Sequence, residues 1–242
     1  MYVIVGYLIS LFVAGMIGLS LRFIILDNFE LYQLAILLVF PVVAVLLYFF
    51  LRNQTRRDQA FQPFNSEGKW MFRLGNAITP NWKPIYAHQQ CKGNFRRIYR
   101  SPWKMFIADI MRSTGRWYLN LEAKMENGDH FAFVNQEENK LWGNDQWILQ
   151  KNGEAIGRVQ TDLSMKNASK LKGLIEAIIE GKQYKFQTYG VSNTVELYAD
   201  DRLIGRGCRE KGYQFTYQPT VEEADHVYLM LTFILVTFYF HT

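Results

Sequence analysis

The sequence predicts two parts of different character: a pair of membrane-crossing helices, then a strand-rich domain built around one buried helix. Three observations carry this reading. Tyr2–Leu21 and Leu31–Leu51 are runs of twenty and twenty-one residues without a charge, each long enough to cross a bilayer. From Arg116 onward, short alternating segments are separated by Asn-Gly and other Gly turns, which is the pattern of β-hairpins. Val227–Phe240 (VYLMLTFILVTFYF) is fourteen uncharged residues interrupted only by Thr232 and Thr237, and a helix apolar on all sides must be enclosed by protein or lipid. At about 1.5 Å per residue it reaches roughly 21 Å, short of the roughly 30 Å hydrocarbon core of a membrane. The expectation is an internal helix over 224–240 with the strands wrapped around it. The alternative, in which 227–240 crosses the bilayer, gives a three-span protein.

The first 52 residues form the anchor. A cleaved signal peptide is a poor reading of the first run, because no Lys or Arg precedes it and a second apolar run follows within ten residues. Arg52, Arg56 and Arg57 crowd the exit of the second helix, whereas the connecting loop sets Arg22 against Asp27 and Glu30. Basic residues stay on the cytoplasmic side. The N-terminus and the C-terminal domain are therefore expected in the cytoplasm of a two-span protein of the cell membrane, with 22–30 outside. Gly6, Ser10, Ala14 and Gly18 share one helical stripe, where another backbone can approach closely. The second helix of the hairpin and a second copy of the chain are both possible partners for it. Pro41 is expected to kink the second helix. Neither apolar core holds an ionisable residue, so an ion or proton pathway has no relay.

The formal charge of +5 is unevenly placed: residues 1–51 carry Arg22, Asp27 and Glu30, a net −1, which leaves +6 for the rest. A basic domain tied to apolar helices points toward an anionic membrane surface before nucleic acid. Cys91 and Cys208 are far apart and suit a reducing compartment rather than a disulfide framework. Residues 53–68 (NQTRRDQAFQPFNSEG) read as a polar linker to a domain over 69–242. Within that domain Cys91–Lys104 holds Lys92, Arg96, Arg97, Arg100 and Lys104 with no acid, interleaved with Phe95, Tyr99 and Trp103. This composition suits phospholipid headgroups at an interface. It equally suits a hairpin whose outward positions are basic and whose aromatics are core.

Strands are expected at Trp117–Met125, His130–Val134, Gln146–Gln150, Ala155–Gln160, Tyr184–Thr188, Thr194–Tyr198, Leu203–Gly207 and Gln214–Tyr217. Turns fall at Asn127-Gly128-Asp129, Asn152-Gly153 and Asp200-Asp201, with Gly190 a further break. Residues 171–179 fit two periods. Leu171, Leu174, Ile175, Ile178 and Ile179 fall at helical spacing, but Ile175-Ala177-Ile179 alternates and Glu180-Gly181-Lys182 can turn it into the next strand.

The segments QWILQKNGEAIGRVQ and EGKQYKFQTYGVSNTVELYADDRLIGRG, with the terminal ADHVYLMLTFILVTFYFHT, resemble the tubby C-terminal-like superfamily, most of all its LURP-one-related and phospholipid-scramblase branch. The shared theme is a Gly turn followed by an Ile-Gly-Arg strand (Ile156-Gly157-Arg158, again Ile204-Gly205-Arg206), and a final apolar helix preceded by acids and a His. The resemblance implies a closed antiparallel barrel of about a dozen strands threaded by the C-terminal helix, and tips 171–179 toward strand. Full closure removes exposed strand edges. It also implies lipid-directed roles: phosphoinositide binding in tubby proteins, through surface Lys and Arg for which Arg96, Arg97, Arg100 and Lys104 are analogues in kind, and lipid scrambling with calcium in scramblases. Asp200-Asp201 and Glu222-Glu223-Asp225 lack the alternating spacing of a calcium loop.

Catalytic signatures are missing from the sequence. His88 and Cys91 are three residues apart, but Cys208, His130, His226 and His241 offer no second pair for zinc. Lys92, Arg96 and Arg97 could activate Cys91 as a thiolate, yet no motif supplies a base or oxyanion hole. Gly205-Arg206-Gly207 opens no phosphate-binding helix. His241 and the acids Glu223 and Asp225 are placed to offset the dipole of the final helix. The expectation is a membrane-anchored, non-catalytic binding module without metal or cofactor. Lys92, Arg96, Arg97, Arg100 and Lys104 would meet acidic phospholipid, Arg52, Arg56 and Arg57 would lie at the membrane surface, and a protein partner is the other option. Lipid movement or sensing, and protection of the membrane against a toxin, are the alternatives.

Overall fold

The computed structural model describes residues 2–27, 30–63, 68–110, 117–137, 143–162, 172–189, 193–220 and 226–240. The chain divides into two compact units, Met1–Arg56 and Arg57–Thr242.

The first unit is helical. Helix α1 covers Tyr2–Leu26 and α2 covers Leu31–Gln59, running through Pro41. Both are long and apolar enough to cross a membrane, and their most apolar stretches are only 6% and 11% buried within the protein. Near the junction of the two helices Arg22, in the last turns of α1, pairs with Glu30 just before α2. The expected small-residue stripe is not where the helices meet. A Cβ built on Gly6 or Gly18 finds nothing within 4 Å, whereas one on Gly15 would lie 2.2 Å from the Leu37 side chain. The close approach therefore falls one residue beyond Ala14, on an adjacent face. The linker reading is also corrected. The polar residues 53–59 continue α2, and the boundary between the two units falls inside that helix.

Among the described residues of the second unit, twelve strands close into an antiparallel barrel in which each strand pairs with its chain neighbours and β1 pairs with β12. They are β1 (Trp70–Arg73), β2 (Lys83–Ala87), β3 (Gln90–Ile98), β4 (Asn120–Met125), β5 (His130–Asn135), β6 (Gln146–Lys151), β7 (Glu154–Asp162), β8 (Lys172–Ile179), β9 (Lys182–Tyr189), β10 (Thr194–Ala199), β11 (Arg202–Arg209) and β12 (Gln214–Pro219). A short helix α3 (Pro102–Ile110) joins β3 to β4, and α4 (His226–Phe240) fills the barrel. The ambiguous stretch is strand β8, and its turn is Glu180-Gly181, both at positive φ. Three other hairpins turn through paired positive φ at His88-Gln89, Asn152-Gly153 and Asp200-Asp201, the backbone that matches strand twist in two-residue turns. The segment expected from Trp117 becomes strand only at Asn120, because Tyr118 sits at positive φ and breaks the extended run. Glu222, Glu223, Asp225, His241, Leu171 and Gly190 lie outside the described residues.

Helix α4 is the core. Leu229, Leu231, Phe233, Ile234, Leu235, Val236 and Phe238 are all at most 2% exposed and pack against Phe72, Phe95, Phe131, Trp147, Ile175 and Phe215 of the wall. Its two buried hydroxyls are satisfied within the helix: Thr232 donates to Tyr228 O at 2.8 Å and Thr237 to Phe233 O at 2.9 Å, so neither is a stranded polar group. Two wall glycines make room for its rings. A Cβ on Gly207 would come 2.2 Å from the Phe233 ring, and one on Gly173 would come 2.6 Å from that of Phe240. The helix runs from the end that carries the hairpin turns, where Tyr228 donates to Glu180, to the opposite end, where Tyr239 donates to Asp145 at 2.8 Å.

Candidate functional site

The basic stretch does not form one patch. Strand β3 advances about 3.3 Å per residue, so Lys92 and Arg100 lie at opposite ends of the barrel. Alternation then sorts the rest. Phe95 faces the core, so Arg96 faces out and Arg97 faces in. Arg97 is 1% exposed, donates to Ala77 O and Trp117 O, and stacks on Tyr99. Burial pushes its pKa down. Its place among headgroup-binding residues is withdrawn, since its guanidinium sits under the wall. Phe95 in the core and Arg96 outside are what the plain hairpin reading requires.

The remaining four reach the surface in different settings. Arg96 pairs with Glu122 at 2.6 Å and stacks over Trp82, with Lys124 near the same ring. Burial pushes the Glu122 carboxyl up, but hydrogen bonds with His130 and Arg96 outweigh it and hold its pKa below the usual range. Lys92 bonds Gln90 and lies 3.9 Å from Glu126. Arg100 donates to Asn135 O at 3.0 Å, and Lys104 lies over the Trp103 and Tyr118 rings. Arg52, Arg56 and Arg57 are exposed along the end of α2.

A cavity of about 550 Å³ opens at the turn end, beside the start of α4. Trp70, Met125, Phe131 and Tyr228 give it apolar walls, and Lys92, Lys151, Asp129 and Glu126 converge on it. Its size and mixed lining are those of a small-molecule site. Lys151 and Asp129 pair at 3.2 Å. That contact lowers the pKa of Asp129 and raises that of Lys151. Burial and Glu180 push the Tyr228 phenol up. Sequence reasoning missed this site, because its residues come from five strands, the turn between β4 and β5, and the start of α4.

A second cluster unseen in the sequence lies at the other end. The carboxylate of Asp58, in the last turn of α2, is 1% exposed. It accepts from Arg73 and from the backbone N–H of Gly75 and Asn76, at 3.0 and 2.7 Å for the two amides. Lys83 is also buried there, donates to Thr79 O and Asn81 O, and has its pKa pushed down by burial to about 8.

His88 and Cys91 flank the β2–β3 turn, where Cys91 is exposed. Among the described residues no group of three or more His, Cys, Asp or Glu could hold a metal ion. The family model described as "Tubby C-terminal like domain" matches residues 83–241, about two-thirds of the chain. No curated protein and no solved structure matches.

Proposed function

Because this chain belongs to the Tubby C-terminal-like family, we propose that it is a membrane-anchored, non-catalytic binding module whose barrel meets acidic phospholipid on the cytoplasmic face of the cell membrane. The observation that carries the reading is the short tether between the apolar run and the barrel unit. The barrel unit starts at Arg57, inside the helix whose apolar run ends at Leu51, so the barrel meets headgroups at high effective concentration. Lys92, Arg96, Arg100 and Lys104 supply cations at its surface, and Arg52, Arg56 and Arg57 supply more along α2. Polybasic surfaces near a membrane gain about 1 kcal/mol per Lys or Arg from anionic lipid. Co-sedimentation of residues 57–242 with vesicles tests it. Binding that rises with the anionic fraction and falls with salt is expected, and equal binding to neutral and anionic vesicles defeats the lipid reading.

The cavity at the turn end favours a second reading, capture of a small ligand with a polar head and an apolar body. Native mass spectrometry of the full chain in detergent tests it. A stoichiometric adduct lost on Lys151→Ala supports the reading, and a bare mass for the wild-type chain counts against it.

A further inference from the structure

The end of the barrel opposite the cavity has a surface of another kind. Helix α3 projects there, and the side chains it exposes among those described are apolar: Pro102, Trp103 and Phe106, with Ile107 half-buried beside them, while Ala108 turns inward. An outward helix face in water is ordinarily polar. Trp103 is 51% and Phe106 42% exposed. The turn before β12 brings a third aromatic to the same end, Tyr213, 41% exposed, with Arg209 over its ring at 4.9 Å. These three are most of the large apolar side chains that the described part of the barrel unit exposes, the others being Ile178 and Leu203 near the turn end.

Residues 57–59, the last turn of α2 and the start of the barrel unit, lie at the same end. Asp58 binds the backbone at Gly75 and Asn76, and two residues further along that loop Tyr99, just before α3, donates to Ile78 O at 2.9 Å. Arg73 donates to Gly212 O, next to Tyr213. The last turn of α2, α3 and the Tyr213 turn thus hang on one loop. Cations flank the aromatics, with Arg57, Arg100 and Lys211 exposed and Lys104 half-buried, against two exposed acids at this end among the described residues, Glu137 and Glu210.

Resting on the reading of α1 and α2 as membrane spans, we propose that α3 and the Tyr213 turn form an interfacial face that lies in the headgroup layer of an anionic bilayer, with Trp103 and Phe106 inserted. Trp and Tyr favour this layer because one part of the ring is apolar and the other wet. An amphipathic helix with basic flanks binds in the membrane plane. The face differs from the cation-only contact in requiring apolar insertion, and it leaves Lys92, at the cavity-bearing end, out of the lipid contact.

The test uses the full chain in nanodiscs, with Cys91→Ser and Cys208→Ser and a nitroxide on Phe106→Cys or, as reference, on Leu203→Cys at the turn end. Collisional accessibility to oxygen and to a water-soluble nickel chelate reports depth. The expected result is a label at 106 at least several-fold less accessible to nickel than the label at 203 in discs with 30% anionic lipid, with a smaller difference in neutral discs. Equal nickel accessibility at both positions overturns the proposal, even where vesicle binding by residues 57–242 persists through the wall cations. Protection at 106 in detergent alone also overturns it and assigns the face to a second copy or another protein. Topology mapping checks the premise separately: residue 203 and the 22–30 loop on the same side of the membrane would remove the two spans.

Discussion

The fit between Gly207 and Phe233 gives the sharpest test of a helix inside a closed wall. In an exposed strand, Gly→Ala stabilises by about 0.4–1 kcal/mol, because it restricts the unfolded chain. At Gly207 a methyl group would lie 2.2 Å from one ring carbon of Phe233 and 2.4 Å from the next, more than an ångström inside normal contact. The ring has no room to yield, since Phe72 and Tyr217 hold it at centroid distances of 5.9 and 5.7 Å. Gly207→Ala should therefore destabilise by about 1–3 kcal/mol, the usual penalty of overpacking. Phe233→Ala alone should lose about 3–5 kcal/mol to the cavity it leaves. The double variant should fall short of the sum by at least about 1 kcal/mol, a coupling expected of residues in contact. Urea unfolding of residues 57–242 measures it: with a slope of about 2 kcal/mol/M, a 2 kcal/mol loss moves the midpoint by about 1 M. A Gly207→Ala protein as stable as wild type, or strict additivity with Phe233→Ala, would refute the packing argument.

Three further outcomes follow from the polar interior. Lys83 has a folded pKa near 8 against an unfolded value near 10.5, so the unfolded chain binds more protons across that window. Stability should rise from pH 8 toward 10.5 by about 3 kcal/mol, and Lys83→Met should flatten the rise in urea titrations at stepped pH. Above pH 10 Tyr99, whose pKa burial pushes up to about 12, acts in the opposite sense. Asp58→Ala strands Arg73 and two backbone amides and should lose about 3–5 kcal/mol, read from the same midpoint; a change under about 0.5 kcal/mol would make the cluster incidental. Trp147→Phe removes the 2.7 Å bond from the indole to Leu119 O and leaves that buried carbonyl unpaired, for a loss of about 1–3 kcal/mol. Hydrogen exchange should show faster opening at β4 and β6.

Much of this architecture was legible because it depends on local chemistry. Periodicity and turn residues marked β5 to β7 and β9 to β12 to within about two residues at each end. Strand β8 fitted two periods and was tipped to strand by the resemblance, and the length of Val227–Phe240 separated a core helix from a span. The resemblance supplied closure, which alternation alone does not dictate. The basic stretch misled because charge in a string has no direction: a single step of strand alternation sends Arg96 to solvent and Arg97 under the wall. His88-Gln89 turned without a Gly or Asn to announce it. Asp58 read as linker because its partners lie at Arg73, Gly75 and Asn76, and a lone acid in a polar run gives no hint of them. The cavity at the turn end is likewise assembled from residues that only closure brings together.

The threaded helix also sets an order of events during synthesis. All twelve strands precede α4 in the chain, so the ribosome delivers a wall before the material that fills it. Until 226–240 emerges, the inward rings of Phe72, Phe95, Phe131 and Phe215 lack the helix side chains they pack against in the finished barrel. Hairpins formed early then expose apolar faces and unpaired edges, the species most prone to aggregate. On the proposed reading of α1 and α2 as membrane spans, their insertion would come first and hold these unfinished chains apart in the plane of the bilayer. The barrel should then close late and all at once, when the final helix docks. A ribosome stalled just short of 226 should carry a protease-sensitive domain, and one allowed past 240 a resistant one.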